Sequence, residues 1–558
     1  MKANKNDHKK NWTEKGWVRW VLLGVIAICF TVNYCRIFDP KPDLNGDNFQ
    51  YFLLAHSLAG GHGYVSEIGP TPVPHMHFPP GYPAFMSLFL RLFPDNIIAM
   101  KILNGLLFLL SLFLLFRIIR KTAGPLGLAI AFVGCILCTA HPELLRWATI
   151  MMSEMLYLAV SLGIIALCID LDVERAFHGD WRNILRLLGI CLLVAFTYFI
   201  RTMGISVVLA VVLVFFVLAV KDFARRKELG GRWIRKLAVC GLVVASLAIA
   251  WESWNLRNQQ VMPGYESEYM NNFKYTREGN TMDSMDLWGK RLGTNLRVFT
   301  AFFIPNSVLQ PDLASQTLMP VKTNALGWVL GILVIAVVLI GILSLQGISL
   351  LVLFYFLITF GVLMLYQEQY AGTRYFVPLI PLMLCAAVAG LVRIADWVRR
   401  LWTRRPQTWL AFAVLVAILA VGYPAYVHQQ ESDRNIAAIK NYVKLGEDNQ
   451  LGQFVKASDW VRQNSTPDVL VSCRKPEVFH FYSGYRHAIS FPNNATPEEV
   501  VDYMRENQVD VVIMDSWFPN AYRTILPAAQ KYPDHFQVLT YFGQGGAVNP
   551  TYVLLFKP

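Results

Sequence analysis

The sequence predicts a polytopic α-helical membrane protein of about eleven transmembrane helices, twelve or thirteen if marginal segments also cross, followed by a soluble α/β domain. Three observations predict it. The 558-residue chain is 55% hydrophobic and only 16% charged, with a mean hydropathy of +0.39, too apolar for a water-soluble enzyme. Its apolar residues form uninterrupted runs of about the 20 residues a helix needs to cross a bilayer. Its lysines and arginines gather in short segments between those runs, as orientation determinants do. The net charge of +12 therefore points to membrane orientation and away from nucleic acid.

Taken in order, residues 1–16 form a basic cytoplasmic terminus, with Lys2, Lys5, Lys9, Lys10 and Lys15. The apolar run from Trp17 to about Cys35 follows with no small-residue cleavage site, so it predicts a retained signal anchor. Residues 36–95 make a first outer loop. Within it, Asn48 to Ala59 predicts a helix lying in the membrane interface, ended by Gly60-Gly61-His62-Gly63-Tyr64. The apolar piece 80–93 is of marginal length and is placed beside the membrane, because one more crossing would invert every later loop. Further spans are expected at about 96–116, 123–141, 154–170, 184–200, 204–220, 236–253, 325–344, 348–366, 375–395 and 408–427. That register puts Arg117, Arg120 and Lys121, the cluster from Arg225 to Lys236, and Arg393, Arg399, Arg400, Arg404 and Arg405 on the cytoplasmic side. A second outer loop, 258–324, carries apolar residues at helix-like spacing from Met282 to Phe303. The membrane domain covers 17–428, and the odd count places 429–558 outside the cytoplasm.

That tail predicts strands at Asp468–Ser472, Val509–Met514, Phe536–Tyr541 and Tyr552–Phe556, and Thr496-Pro497-Glu498-Glu499 has the cap, proline and acids of a helix start. It has no phosphate-binding glycine loop and no nucleophile elbow, so recognition or support suits it better than catalysis. Most of the nine cysteines lie inside apolar runs, where they act as small hydrophobes; Cys135 and Cys138 spell C-x-x-C within one of them. No internal repeat is present.

The chemistry concentrates at the outer membrane face. Arg201, Arg257 and Arg374 fall at span ends on the side where positive residues are scarce, which suggests a buried anion. Glu154 opens a span on the same side, where a carboxylate is costly unless it pairs or works. The stretch Asn45-Gly46-Asp47-Asn48-Phe49-Gln50-Tyr51 brings a further carboxylate to that face. Each has a plainer reading: Asp47 and Glu154 could cap the helices that follow them, and each arginine could extend to the lipid headgroups.

Asp47-x-x-x-Tyr51, then Leu58-x-x-Gly61-His62-Gly63-Tyr64, then Pro79-Pro80-Gly81-Tyr82-Pro83 resembles the first outer loop of GT-C glycosyltransferases, among them protein O-mannosyltransferases and lipid A aminoarabinose transferases. Ser153-Glu154-x-x-Tyr157, Trp254-x-x-Arg257-Asn258 and Arg374-Tyr375-x-x-Pro378-x-x-Pro381 fit bacterial members, and the resemblance spans roughly 15–430. It implies transfer of a sugar from a polyprenyl-phosphate carrier to an acceptor hydroxyl at the outer face of a bacterial inner membrane. The acceptor would be lipid A, another envelope glycan, a glycolipid or a protein. On this reading Asp47 is the general base, and Glu154 orients the acceptor, pairs with an arginine or assists Asp47. Arg201, Arg257 and Arg374 hold the leaving phosphate bidentately. Tyr51, His75, His77, Tyr82, Asn258 and Tyr375 are candidates for substrate contact. Phe78 stands before Pro79 where the aminoarabinose transferases have a lysine, which removes support for a phosphate contact there.

No cofactor and no metal ligand set is assigned. A divalent metal on His75, His77 and a carboxylate such as Glu67 is the one option the loop offers. Two rivals stand: a lipid-linked oligosaccharide ligase or polymerase, and a transporter or flippase, which would put charges at the bilayer midplane and show repeat symmetry. A non-catalytic scaffold using the tail as a binding module is a third.

Overall fold

The computed structural model describes residues 16–42, 46–276, 279–309, 323–367, 373–401, Tyr426, Gln430, 450–493, 495–517, 519–543 and 549–558. The basic terminus before Gly16, Asn45 of the loop motif, Arg404 and Arg405, the expected span 408–427 and the start of the tail lie outside the described residues. Contacts divide the chain into two compact units, neither continuous in sequence. One comprises Met1–Phe38, Ile102–Thr149 and Ser153–Ile436; the other comprises Asp39–Lys101, Ile150–Met152 and Ala437–Pro558.

The chain is a multi-pass membrane protein with a C-terminal sheet domain. Among the described residues, seven helices are long and apolar enough to cross a membrane: Gly16–Ile37, Ile97–Thr122, Trp181–Ile200, Thr202–Ala224, Arg232–Val261, Ala325–Ser344 and Val377–Arg400. An eighth is added if Gly124–Ala140 and Pro142–Ala148, bent by 67°, form one broken span. The bend has a local cause, since Pro142 opens the second piece and His141 caps it with its ring nitrogen on the Leu144 N–H. Two more expected spans are helices of 17 residues, Glu154–Asp170 and Ser349–Leu365, about 26 Å long against a hydrocarbon core of about 30 Å. The piece placed beside the membrane forms the ten-residue helix Gly81–Leu90, about 15 Å long and half of what a crossing needs.

Glycines bring helices of the first unit into backbone contact. A Cβ on Gly341 would lie 1.8 Å from the Ala386 carbonyl oxygen, and one on Gly390 would lie 2.1 Å from that of Val337. Small residues at such crossings let two backbones approach, which is how helices associate where lipid is as apolar as leucine. Gly341→Val is therefore expected to abolish monodisperse protein on size exclusion in mild detergent. Gly361→Ala, whose Cβ meets nothing within 4 Å, is expected to be silent.

The segment that follows Arg232–Val261 is held by buried donors. From the helix Met285–Val298, Arg291, 1% exposed, donates to the carbonyls of Asn272, Phe273, Tyr275 and Leu365, while Asn295 donates to those of Leu363, Met364 and Tyr366. These bonds tie the segment to the end of Ser349–Leu365, where the helix leaves carbonyls without intrahelical partners.

The second unit is built on a five-stranded mixed sheet. Two residue pairs in the first loop form a small hairpin, β1 (Val65–Ser66) and β2 (Val73–Pro74). The main sheet comprises β3 (Leu470–Ser472), β4 (His487–Ile489), β5 (Val511–Met514), β6 (Phe536–Phe542) and β7 (Thr551–Phe556), in the order β4-β3-β5-β7-β6. β3 runs parallel to β4 and β5, while β7 is antiparallel to both β5 and β6. Period-two alternation sends Val511 and Ile513 to one face and Val512 and Met514 to the other, and all four are buried because helices cover both faces. Gln450–Asn464 and Pro476–Tyr482 pack on the first face; Pro497–Glu506 and Pro519–Lys531 pack on the second. Thr496 and Glu499 close the expected start as a reciprocal capping box.

The first-loop helix, Gly46–Gly60, finds an apolar partner in its own unit: Phe49 sits fully buried in the sheet-domain core with Phe454, Val471 and Phe479. Phe52 meets Phe481 edge-on. The Ile68 carbonyl also accepts from the Ala488 N–H, continuing the hydrogen bonding beyond β4 at the sheet edge. The apolar face that the sequence displays is satisfied by protein.

Candidate active site

The first unit gathers three of the sequence-derived residues on one carboxylate oxygen. Glu154 is the first residue of Glu154–Asp170 and fully buried. Its Oε1 accepts from Arg201 Nη1 and from Arg374 Nε, the latter at 2.6 Å. Arg201 also donates to Ser153 Oγ at 3.2 Å. Ser153 occupies the N-cap position, where a hydroxyl ordinarily takes a backbone N–H, yet it makes no capping bond. The second carboxylate oxygen, Glu154 Oε2, is buried and has no hydrogen-bond partner.

Local sequence explains why the two arginines arrive there. Arg201 lies in an extended break, φ −154°, between Trp181–Ile200 and the turn Thr202–Gly204. The turn folds back so tightly that a Cβ on Gly204 would sit 2.7 Å from the Thr197 carbonyl oxygen. Arg374 lies in the 3-10 turn Thr373–Tyr375, followed by a second such turn at Val377–Leu379 before the helix Ile380–Leu401 begins. Pro378 and Pro381 lack the N–H groups needed to extend a regular helix back through Arg374.

Aromatic rings back both guanidiniums. Arg201 lies 5.4 Å from the Tyr375 ring centroid, and Arg374 lies 5.6 Å from that of Trp147. Trp147 is oriented by its indole N–H, which donates to Glu143 Oε2 at 3.0 Å. One turn into the Glu154 helix, Tyr157 donates to the Met203 carbonyl and accepts from the Tyr355 hydroxyl at 3.1 Å. Sequence reasoning missed Glu143, Trp147, Ser153 as an arginine partner, and Tyr355. The available signals were Glu143 and Trp147 one helical turn apart and a tyrosine within an otherwise apolar span.

Arg257 and Asn258, neighbours in sequence, bond each other. Arg257 Nη1 donates to Asn258 Oδ1 at 2.7 Å, and the guanidinium lies 5.3 Å from the Trp254 ring. Asn258 is fully buried, and its Nδ2 has no hydrogen-bond partner.

The second unit carries the other candidates. Asp47 is the acidic residue in the first turn of Gly46–Gly60, where a carboxylate gains from the helix dipole. Next to it Asn48, fully buried, accepts from the Met151 N–H at 3.0 Å. Tyr51 and Tyr82 are both buried, with ring centroids 5.1 Å apart, and Tyr51 also packs at a tilt against Phe78. His75 Nε2 accepts from the Phe78 N–H at 2.9 Å, and the His77 ring lies against Phe78. Glu67 pairs with His62 at 2.7 Å, so the metal set of His75, His77 and Glu67 is not assembled. Among the described residues no group of three or more His, Cys, Asp and Glu side chains is placed to hold a metal ion.

No protein-family model matches the sequence, and no curated protein matches it. Solved structures do. The chain is similar to the oligosaccharyltransferase AglB from Archaeoglobus fulgidus, solved with an inhibitory peptide and a dolichol-phosphate, at 13% identity over 97% of this chain and 74% of that one, TM-score 0.58. It is similar to ArnT from Cupriavidus metallidurans bound to undecaprenyl phosphate, at 13% identity over 97% of this chain and 98% of that one, TM-score 0.56. At that identity the likeness is one of fold: this chain has the fold of these two structures.

Proposed function

We propose that this protein transfers a sugar from a polyprenyl-phosphate carrier to an acceptor hydroxyl at the outer face of the membrane. The observation that carries the reading is the buried cluster of Glu154, Arg201 and Arg374. Two guanidiniums converge on one buried carboxylate oxygen within a fold that, in ArnT, was solved with a lipid phosphate bound. Glu154 fixes the orientation of both arginines, which is what bidentate grip on a phosphate requires. Its unpartnered Oε2 would accept a hydroxyl from the substrate; an unmet buried acceptor costs about 1–3 kcal/mol, and more when charged.

In the displacement, the acceptor oxygen bonds to the anomeric carbon as the bond from that carbon to the phosphate oxygen breaks. The electron pair leaves on the phosphate, where Arg201 and Arg374 stabilise it, with Arg257 as a further cation for the carrier. Asp47 takes the acceptor proton, and the anomeric configuration inverts. No nucleotide takes part. Tyr375, behind Arg201, and Asn258, with its unpartnered amide, are the substrate-contact candidates of the first unit. Tyr51, His75, His77 and Tyr82 shape the loop that carries Asp47.

Mass spectrometry of envelope glycans and glycolipids from cells with and without the protein tests the reading. Loss of a single sugar mass from one class of product is expected, and unchanged profiles in every class would overturn it. Loss of a whole oligosaccharide block would instead favour the ligase reading, in line with the AglB likeness.

Orientation has its own test. A cysteine at Glu506, exposed at the end of Pro497–Glu506, is expected to react with an impermeant maleimide from the extracytoplasmic side. The background needs Cys35→Ser, because Cys35 is exposed whereas Cys473 is buried. Labelling only after inner-membrane lysis would put the tail in the cytoplasm.

A further inference from the structure

Helices Gly16–Ile37 and Ile97–Thr122 border a partly open cavity of about 560 Å³. Its lining divides by chemistry along the helices. Arg19, Arg117 and Arg120 lie towards one end; Leu23, Gly24 and Phe113, one to two turns away along their helices, belong to the apolar part.

The cationic end is short of anions. Asp170 takes Arg117 and Lys121, the latter at 2.7 Å. Among the described residues no carboxylate pairs with Arg19 or Arg120, and Arg120 Nε is shut off from solvent without a hydrogen-bond partner. Orientation alone needs positive charge near a span end and is met by arginines solvated at the surface. A shielded guanidinium nitrogen with no acceptor, beside a second unpaired arginine and above an apolar wall, fits a ligand with an anionic head and a hydrocarbon tail. Basic pockets between membrane helices recognise lipid headgroups by this combination.

We propose that this cavity binds one anionic phospholipid, with its phosphate between Arg19 and Arg120 and an acyl chain along Leu23, Gly24 and Phe113. The site does not involve the cluster around Glu154 and stands whether or not the protein transfers a sugar. A free phosphate would use the arginines but leave the apolar wall without a function, so the lipid is the occupant.

Native mass spectrometry of the full-length protein in detergent tests it, with phosphatidylglycerol and phosphatidylcholine supplied at equal concentration. Wild type is expected to retain one phosphatidylglycerol with at least about tenfold preference, the effect of a charge-assisted contact. Arg19→Ala with Arg120→Ala is expected to bring the two lipids level. Gly24→Leu provides a second variant that keeps every arginine. A Cβ there meets nothing within 4 Å, so the new side chain fills the acyl path without disturbing the backbone, and phosphatidylglycerol retention should fall about tenfold. An undiminished preference in the arginine variant would overturn the proposal. So would inorganic phosphate displacing the lipid while Gly24→Leu changes nothing, since that pattern describes a free-anion site.

Discussion

Asp47→Asn is expected to insert and fold as wild type does and to lower sugar transfer by at least about 10²-fold, because the amide keeps the side chain's shape but cannot take the acceptor's proton. Asp47 sits in the first turn of Gly46–Gly60, so losing its charge at the positive end of the helix dipole should cost only about 0.3–1 kcal/mol of stability. The two roles therefore separate. A residue that only steadies the helix would give slightly lower thermal stability and unchanged turnover. Purified variant protein with near-normal turnover would remove Asp47 from the base role.

The arginines carry the second large effect. Arg201→Ala and Arg374→Ala are each expected to weaken donor use by about ten- to a hundredfold, the loss of one charge-assisted contact to a buried anion. Lysine should restore part of it, supplying charge without the planar fork. Because both guanidiniums bond Glu154 Oε1, removing one changes the footing of the other, and a double-mutant cycle should show coupling of about 0.5–3 kcal/mol. Arg257→Ala is expected to weaken donor use to a similar extent. Kinetics against a short-chain polyprenyl-phosphate sugar, normalised to folded protein, check this. If the arginines merely reach for lipid headgroups, donor affinity and turnover per folded molecule stay constant in all three alanine variants.

The cluster was legible as individual residues because charges within apolar segments stand out against the cost of burying them. Its geometry was not. That Arg201 and Arg374, 173 residues apart in number, meet on one oxygen depends on a break in the helix after Ile200 and two 3-10 turns before Ile380. Neither periodicity nor charge bias encodes those turns. In the tail, β5, β6 and β7 could be read to within a residue or two because runs of branched and aromatic residues mark strands. β4 escaped notice: His487-Ala488-Ile489 is three residues long and carries no such signature. The first-loop helix shows the remaining limit. Its apolar face called for a partner, but the pattern does not name one, and Phe454 and Phe479 supply it from more than 400 residues away.

That partnership carries a cost during synthesis. Phe49 emerges from the ribosome early, while Phe481, on which it packs with ring centroids 5.3 Å apart, is encoded 432 residues later. At about 5–20 residues per second the wait is roughly 20–90 s. Throughout it, Phe49 and Phe52 wait without the core that will cover them. Maturation of the second unit is therefore gated by completion of the chain. A polypeptide truncated before the tail would retain most of its spanning helices yet leave the Asp47 helix without its core, making it a natural substrate for quality-control proteases.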